Sequence, residues 1–321
     1  MPFDFDTVTP VFRMQPALRR LYAGAQQLSP NSMQSPVLQA KLAVLSRHAD
    51  QALLVAPGFD ASSATMALAR HACQEHPAAF QLTADDGATA SLLGWSVRGA
   101  HVWGDGPGEI GDCLRGLPPQ WRLAGLLCLA FAEDFAVIDG ADTCIPWLAV
   151  CLPSHWVPEE KIGLPFAAVH APVADNRALL AAGAHLARLV TGPERWERFV
   201  WTITPESALD NHPVRVPLKA WPRSDLVDAR GLVAHAFFRT ERQTFIPLHD
   251  MRQALFTIQV DVLPLQQVLA DPAHAARLHD AVRSMSDAVL VYRGLAPARE
   301  RLLSWMAQCA GHPGSPLSPP A

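Results

Sequence analysis

His170 is the most informative of the 13 histidines. It follows Phe166-Ala167-Ala168-Val169 and precedes Ala171-Pro172-Val173, which places it in a small-residue pocket at the end of an extended segment, poorly reached by water. A neutral imidazole there either satisfies its nitrogens with hydrogen bonds or binds a metal. The residues alone leave both roles open. The stretch Phe238-Arg239-Thr240-Glu241-Arg242-Gln243-Thr244 packs two guanidiniums, a carboxylate and an amide between apolar segments. On a strand, Arg239, Glu241 and Gln243 share one face while Arg242 projects to the other with Thr240 and Thr244. A fixed guanidinium suits a carboxylate or can polarise bound oxygen, and a cross-strand salt bridge accounts for the same residues equally well.

Other positions carry weaker signals. Lys161, in Glu159-Glu160-Lys161-Ile162-Gly163, follows two carboxylates on a short helix and reads first as a solvated surface charge. Glu133-Asp134 fits a buried acidic pair, a hairpin edge or a helix cap. Trp156, Trp196 and Trp201 are core residues or walls of a binding site. The sequence holds no G-x-G-x-x-G, no G-K-[ST] phosphate loop, no G-x-S-x-G elbow and no H-E-x-x-H, so nucleotide binding and classical hydrolysis lose their usual support.

The elements that must position these residues are alternating strands with helices around them. Phe135-Ala136-Val137-Ile138 and Trp147 to Leu152, separated by Asp139-Gly140-Ala141-Asp142, read as a hairpin. Leu123 to Ala132, the longest apolar run, reads as a buried strand, too short for the roughly 20 residues that cross a bilayer. Further strands are expected at Arg198–Ile203, Val233–Arg239, Gln243–Ile246 and Ala254–Val262. The last places Phe256, Ile258, Val260 and Val262 on one face and Thr257, Gln259 and Asp261 on a wet one. Period two with a wet face favours an antiparallel sheet. Helices are expected at about 38–49, 61–75 (capped by Asp60 or Ser62), 158–163, 176–190 (capped by Asp175 or Asn176), 266–283 and 295–309. Residues 24–37 are turn-rich and read as a mobile loop, and residues 311–321 as a disordered tail. The fold class is therefore α+β. Its organisation is a mostly helical region over 1–120, a sheet domain with C-terminal helices over 121–310, and the tail.

Composition limits the function classes. Half of the 321 residues are hydrophobic, 17% are charged and the net charge is -4 without a block of like charges, so neither nucleic acid nor an anionic membrane is an expected partner. The acidic start Met1-Pro2-Phe3-Asp4-Phe5-Asp6 lacks the features of a secretory signal, and six scattered cysteines without metal-ligand spacing read as buried reduced thiols. A cytoplasmic location is expected.

Taken together, several of these segments resemble one family in order. Phe131-Ala132-Glu133-Asp134, Leu152-Pro153-Ser154-His155-Trp156 with Glu160-Lys161-Ile162-Gly163, and Val169-His170-Ala171-Pro172-Val173 are similar to the motifs of the haem-dependent oxidative N-demethylases. The likeness continues through Arg198-Phe199-Val200-Trp201, Arg239 to Thr244, Leu255-Phe256-Thr257-Ile258 and Tyr292-Arg293-Gly294-Leu295, with Phe12-Arg13-Met14 and Leu18-Arg19-Arg20-Leu21 matching an N-terminal arm. It covers about half of the chain. The sequence departs at Ala132, where the family usually has Gln, and at Arg293, where it usually has Lys; His155 occupies a variable position.

The resemblance implies a PAS-like antiparallel sheet and a haem b whose iron is held by a histidine. It implies oxidative demethylation of a small secondary amine, such as dimethylamine, with release of formaldehyde. Oxygen is the co-substrate, and a separate NADPH, flavin and iron–sulfur reductase supplies electrons. Carried over by residue, His170 is the iron ligand, Arg242 and Glu241 form the oxygen and amine side of the pocket, and Arg239 and Lys161 are propionate partners. Trp201 is a further cofactor contact. Two other readings stand beside this one. The first is a haem-binding PAS-like sensor or carrier without turnover; the second is a family member that has lost haem and keeps His170 as a structural residue.

Overall fold

A computed structural model describes residues 3–83, 85–248 and 252–311. In chain order the elements begin with a two-residue strand β1 (Arg19–Arg20), then α1 (Pro36–Arg47), α2 (Ala49–Ala52), β2 (Leu53–Val55) and α3 (Ser62–Glu75). Strands β3 (Phe80–Leu82), β4 (Ala88–Ala90), β5 (Trp95–Arg98) and β6 (His101–Gly104) precede α4 (Gly108–Gly116) and α5 (Arg122–Ala130). The hairpin β7 (Asp134–Asp139) and β8 (Trp147–Ala149) leads to α6 (Phe166–His170), α7 (Arg177–Val190) and β9 (Trp196–Thr204). After α8 (Ala229–Val233) come the long strands β10 (Phe237–Leu248) and β11 (Gln253–Pro264), and four helices close the chain: α9 (Leu265–Val268), α10 (Pro272–Ser284), α11 (Asp287–Tyr292) and α12 (Arg299–Cys309).

Two antiparallel sheets result, one of seven strands in the order β1-β9-β10-β11-β7-β8-β2 and one of four in the order β3-β4-β5-β6. The architecture is α+β, as the strand and helix patterning predicts. The region 1–120 is not mostly helical, because it contains the whole four-stranded sheet and also supplies β2, which pairs with β8. One apolar core, from Leu28 and α1 through Phe131, Phe135 and Trp147 to Leu255, fastens the N-terminal elements to the large sheet. A second core joins Trp201, Ile203 and Phe238 to α9, α10, α11 and α12. Among the described residues no helix is long and apolar enough to cross a membrane. The six cysteines are unpaired; Cys113, Cys128 and Cys151 are buried, while Cys73, Cys144 and Cys309 are only half-buried.

Several expectations change. Leu123–Ala132 is not a strand; its residues Leu123–Ala130 lie in helix α5, whose residues 124–130 are all buried. A helix hidden on every side has no polar stripe, so periodicity could not separate it from a buried strand. The strands expected at Val233–Arg239 and Gln243–Ile246 are one, β10, and it begins only at Phe237, because Asp228 accepts from the Gly231 amide at 2.7 Å and caps a helical turn over 229–233. The expected wet face of β11 is graded: Asp261 is exposed and Gln259 half-buried, but Thr257 is fully buried and hydrogen-bonded to the Thr244 hydroxyl at 2.7 Å. The helix expected over 266–283 is interrupted, and α10 restarts with Asp271 capping and Pro272 in the first turn. Asp60 accepts from the Ser62 amide as expected, but Asp175 instead receives the Ser286 hydroxyl and caps no helix.

Residues 24–37 also differ from a free loop. Gln27 is fully buried and donates through Nε2 to the Thr244 hydroxyl at 3.1 Å and the Phe245 carbonyl at 3.0 Å. Its backbone amide and that of Leu28 donate to Glu75. This strap lies across the large sheet, where its polar atoms meet side chains rather than water. The expected tail, beyond Gly311, lies outside the described residues.

The deepest charge in this frame is Lys41. It is fully buried on α1, with its ammonium 3.0 Å from Asp134 and donating to the Phe131 and Glu133 carbonyls. Burial is the largest influence and opposes the ammonium, but the Asp134 carboxylate, together with Cys128 and Cys151, holds the Lys41 pKa above its ordinary value. Asp134 in turn accepts from the Leu152 amide at 2.7 Å, tying α1, β7 and the end of β8 together. Lys41→Met leaves that carboxylate buried and unpaired, and a loss of about 3–5 kcal/mol in urea unfolding is expected, the usual cost of breaking such a pair.

Candidate functional site

The central strand β10 divides its charged residues between two faces. Glu241 pairs across the sheet with Val200 and Val260, and Gln243 with Arg198 and Ile258, so these side chains share one face. Arg242 sits on the opposite face, in register with Phe199 and Gln259. The Glu241 face is covered by α7, through Val190 against Phe245 and Ala254, and by the segment around Trp156 and Ile162. The Arg242 face is covered by the strap and the helical cores.

His170 belongs to the Glu241 side. It ends the short helix α6 rather than an extended segment, and it is half-buried. Helix α6 is held from both ends: the Phe166 amide donates to the Thr143 carbonyl at 3.0 Å, and Asn176 Nδ2 donates to the His170 and Ala171 carbonyls at 3.2 and 2.9 Å. Phe166 sits against α7 where Gly183 makes room, since a Cβ there would stand 2.8 Å from its ring. The imidazole stacks on the Phe166 ring at 4.0 Å and its Nδ1 lies 2.9 Å from the Phe166 carbonyl. A carbonyl only accepts, so Nδ1 carries the proton and Nε2 is left with its lone pair. Burial first, and then the charges of Arg198 and Lys161, push the His170 pKa below its ordinary value despite the Phe166 carbonyl.

The other sequence candidates separate. Glu241 lies on the His170 side, nearly buried, and accepts from Gln243 Nε2 at 2.6 Å. Lys161 is half-buried at the end of the Pro158–Glu160 turn and is close enough to lower the His170 pKa. Arg239 shares the face of Glu241, but all three of its guanidinium nitrogens are engaged: Nε with Ser154 Oγ at 2.8 Å, and the others with the Ala208, Leu209, Leu152 and Pro153 carbonyls. It ties two loops together, and that occupation, not distance in sequence, removes it as a propionate partner.

Arg242 is removed by geometry. Its Nε meets Glu197 at 3.0 Å and a terminal nitrogen donates to the Gln26 carbonyl at 3.0 Å, all on the face away from His170. It cannot line one pocket together with Glu241, which faces the other way. Trp201 also points to that second face, buried beside Phe12 and Phe238 in the core under the C-terminal helices, so it is no wall of the His170 side. Glu133 is fully buried; burial, opposed by the Ser29 amide at 2.9 Å, raises its pKa.

Sequence reasoning passed over Arg198 and His212. Arg198 is half-buried next to Glu241 with Nε buried and unpartnered among the described residues. Burial lowers its pKa, and Glu241 partly restores it. Arg198 stood in the family-like motif Arg198-Phe199-Val200-Trp201, but its parity with Val200 and Thr202 means nothing until β9 is set in register with β10. His212 is fully buried, takes the Val214 amide on Nδ1 at 3.2 Å and faces Glu159 through Nε2 at 3.4 Å, bracing the turn that carries Lys161. Two clefts, of about 460 Å³ beside Trp221 and Arg301 and about 770 Å³ between α1 and α4, lie apart from His170.

The His170 imidazole thus keeps Nε2 unprotonated on the side of the sheet where the charge of Arg198 reaches it. The family model described as haem-dependent oxidative N-demethylase, alpha subunit-like, matches residues 36–303. The chain belongs to this family. The match takes in α1 through the first turn of α12, including His170, Arg198 and Glu241, while the N-terminal arm around Phe12 and Leu18 precedes it. The name of the haem-dependent oxidative N-demethylase family indicates a haem-dependent enzyme.

Two outcomes follow from this placement. Arg242→Gln should lower the unfolding free energy by about 3 kcal/mol or more, because Glu197 loses a buried partner, while the His170 imidazole titrates as in the wild type by NMR. In the protein without added haem, His170 should titrate below the ordinary imidazole value. A depressed folded pKa favours the neutral ring, so its contribution to stability is present above the unfolded-state pKa and is lost as the pH falls through the folded value.

Proposed function

We propose that the chain binds haem b through His170 Nε2 and, with oxygen, removes a methyl group from a small secondary amine such as dimethylamine as formaldehyde. Electrons would come from a separate NADPH-dependent flavin and iron–sulfur reductase, and the cofactor would lie within residues 121–310, on a sheet that is PAS-like. The observation that carries this reading is the hydrogen bond from His170 Nδ1 to the Phe166 carbonyl. A histidine that ligates a metal through one nitrogen commonly donates the other N–H to a carbonyl, which fixes tautomer and ring orientation.

The residues present fit such a group. His170 offers one nitrogen that would hold the iron, and the buried Nε of Arg198 is a donor without an acceptor among the described residues. Bound haem supplies the oxygen activation and the oxidation of the N-methyl carbon.

The chain's own residues have simpler tasks. Glu241 holds the ammonium form of the amine as a counter-charge, and its carboxylate can take the proton that must leave nitrogen before oxidation. Gln243 donates to Glu241 Oε2 and fixes the direction of that carboxylate. Helix α7 and the Trp156–Ile162 segment exclude water from the same face. Lys161 adds positive potential near the cofactor's edge. A sensor or carrier would need no anionic residue on this face, so Glu241 favours turnover over that alternative.

The visible spectrum of the protein supplied with haem tests this directly. A Soret band is expected for the wild type and should be lost or shifted in His170→Ala. The loaded wild type, given a reductant system, should release formaldehyde from dimethylamine only when oxygen is present, and Glu241→Gln should lower that rate about 100-fold or more, the range of a positioned acid–base group. A wild type that stays colourless overturns the haem reading.

A further inference from the structure

We infer that Arg198, with Trp196 beside it on β9, is the receptor for a carboxylate on the His170 side of the sheet. This deepens the proposed function and rests on its assignment of that face. Residues two apart on a strand point the same way, so Trp196 and Arg198 project together, opposite Phe245 and Gln243 of β10. Trp196 Nε1 and Arg198 Nε are both buried, and neither has a hydrogen-bond acceptor among the described residues. Both atoms are donors only.

The contrast with the neighbouring arginines is the core of the case. Arg239 spends its nitrogens on Ser154 and four carbonyls, and Arg242 is neutralised by Glu197. Arg198 has no ion pair or hydrogen bond of this kind among the described residues. Glu241 is the nearest countercharge, yet its bound partner is Gln243. Leaving a buried donor unmet costs more than a hydrogen bond returns, and more still for a charged group. No described residue supplies that acceptor, so a ligand is the group that completes it, and a guanidinium fork favours a carboxylate, which it can grip with two parallel bonds.

A carboxylate can reach this place from two sources. One is a propionate of the bound haem. The other is the substrate itself, if the amine is an N-methylated amino acid such as N-methylglycine; its ammonium would then face Glu241 while its carboxylate faces Arg198. Dimethylamine has no carboxylate and makes no use of Arg198.

Titration of the full chain with haem and with haem dimethyl ester, followed by the Soret band, separates the sources. For a propionate, Arg198→Gln should weaken haem about 10- to 100-fold, leave the ester's affinity unchanged, and recover part of the loss as Arg198→Lys. For a substrate carboxylate, Arg198→Gln should bind haem as the wild type does, keep the spectral response to dimethylamine and lose the response to N-methylglycine. Circular dichroism and a thermal melt of both variants establish that they are folded. If Arg198→Gln matches the wild type in haem affinity, ester preference and response to N-methylglycine, the inference is overturned. If the wild type binds no haem, the proposed function fails by itself, and calorimetric titration with N-methylglycine then decides for Arg198: binding lost in Arg198→Gln supports the receptor, and no binding to either protein overturns it.

Discussion

A buried charge must find a partner, and strand β10 brings three of them, Arg239, Glu241 and Arg242, into the middle of a seven-stranded sheet. Much of the arrangement around the sheet follows from meeting that demand. Arg239 draws in the carbonyls of residues 208–209 and 152–153, which fixes the loops at one edge of the His170 face. Arg242 requires Glu197 on β9 and the Gln26 carbonyl, and so the strap from residue 24 must cross the second face of the sheet. The strap is then completed by Gln27 on Thr244 and by Ser29 on Glu133.

The same demand explains how the N-terminal helices are joined to the sheet. Lys41 sits where only Asp134 and two carbonyls can satisfy it, so α1 has one position relative to β7. Apolar packing around Leu38, Phe131 and Trp147 supplies much of the cohesion, but such packing tolerates small slips. The ion pair does not, because a slip leaves two charges buried without partners.

Unmet buried polar atoms remain at several places, Arg242, Gln259 and Arg293 among them, and those of Arg198 and Trp196 lie on the His170 side. The imidazole is oriented by a backbone carbonyl, Glu241 is oriented by an amide, and Arg198 and Trp196 are left with donors unmet. Proteins concentrate such unmet groups where a ligand completes them. The family to which the chain belongs depends on haem, and the orphaned donors lie on the face that carries the histidine.

The sequence by itself determined the α+β class, the β7–β8 hairpin, β9 and the alternation that sends Glu241 and Arg242 to opposite faces, since these follow from local period and turn chemistry. The ordered motifs around Glu133, His170 and Arg239 also made the family legible. It misjudged α5, because a helix buried on all sides carries no amphipathic signature, and it misjudged Thr257 on β11, which looks solvated until Thr244 is set opposite it. It also could not choose among arginines, which are alike in sequence. Only the tertiary structure decided that Arg239 and Arg242 are held by partners from distant segments while the Arg198 Nε has no acceptor among the described residues, because whether a charge is available depends on what the rest of the chain brings to it.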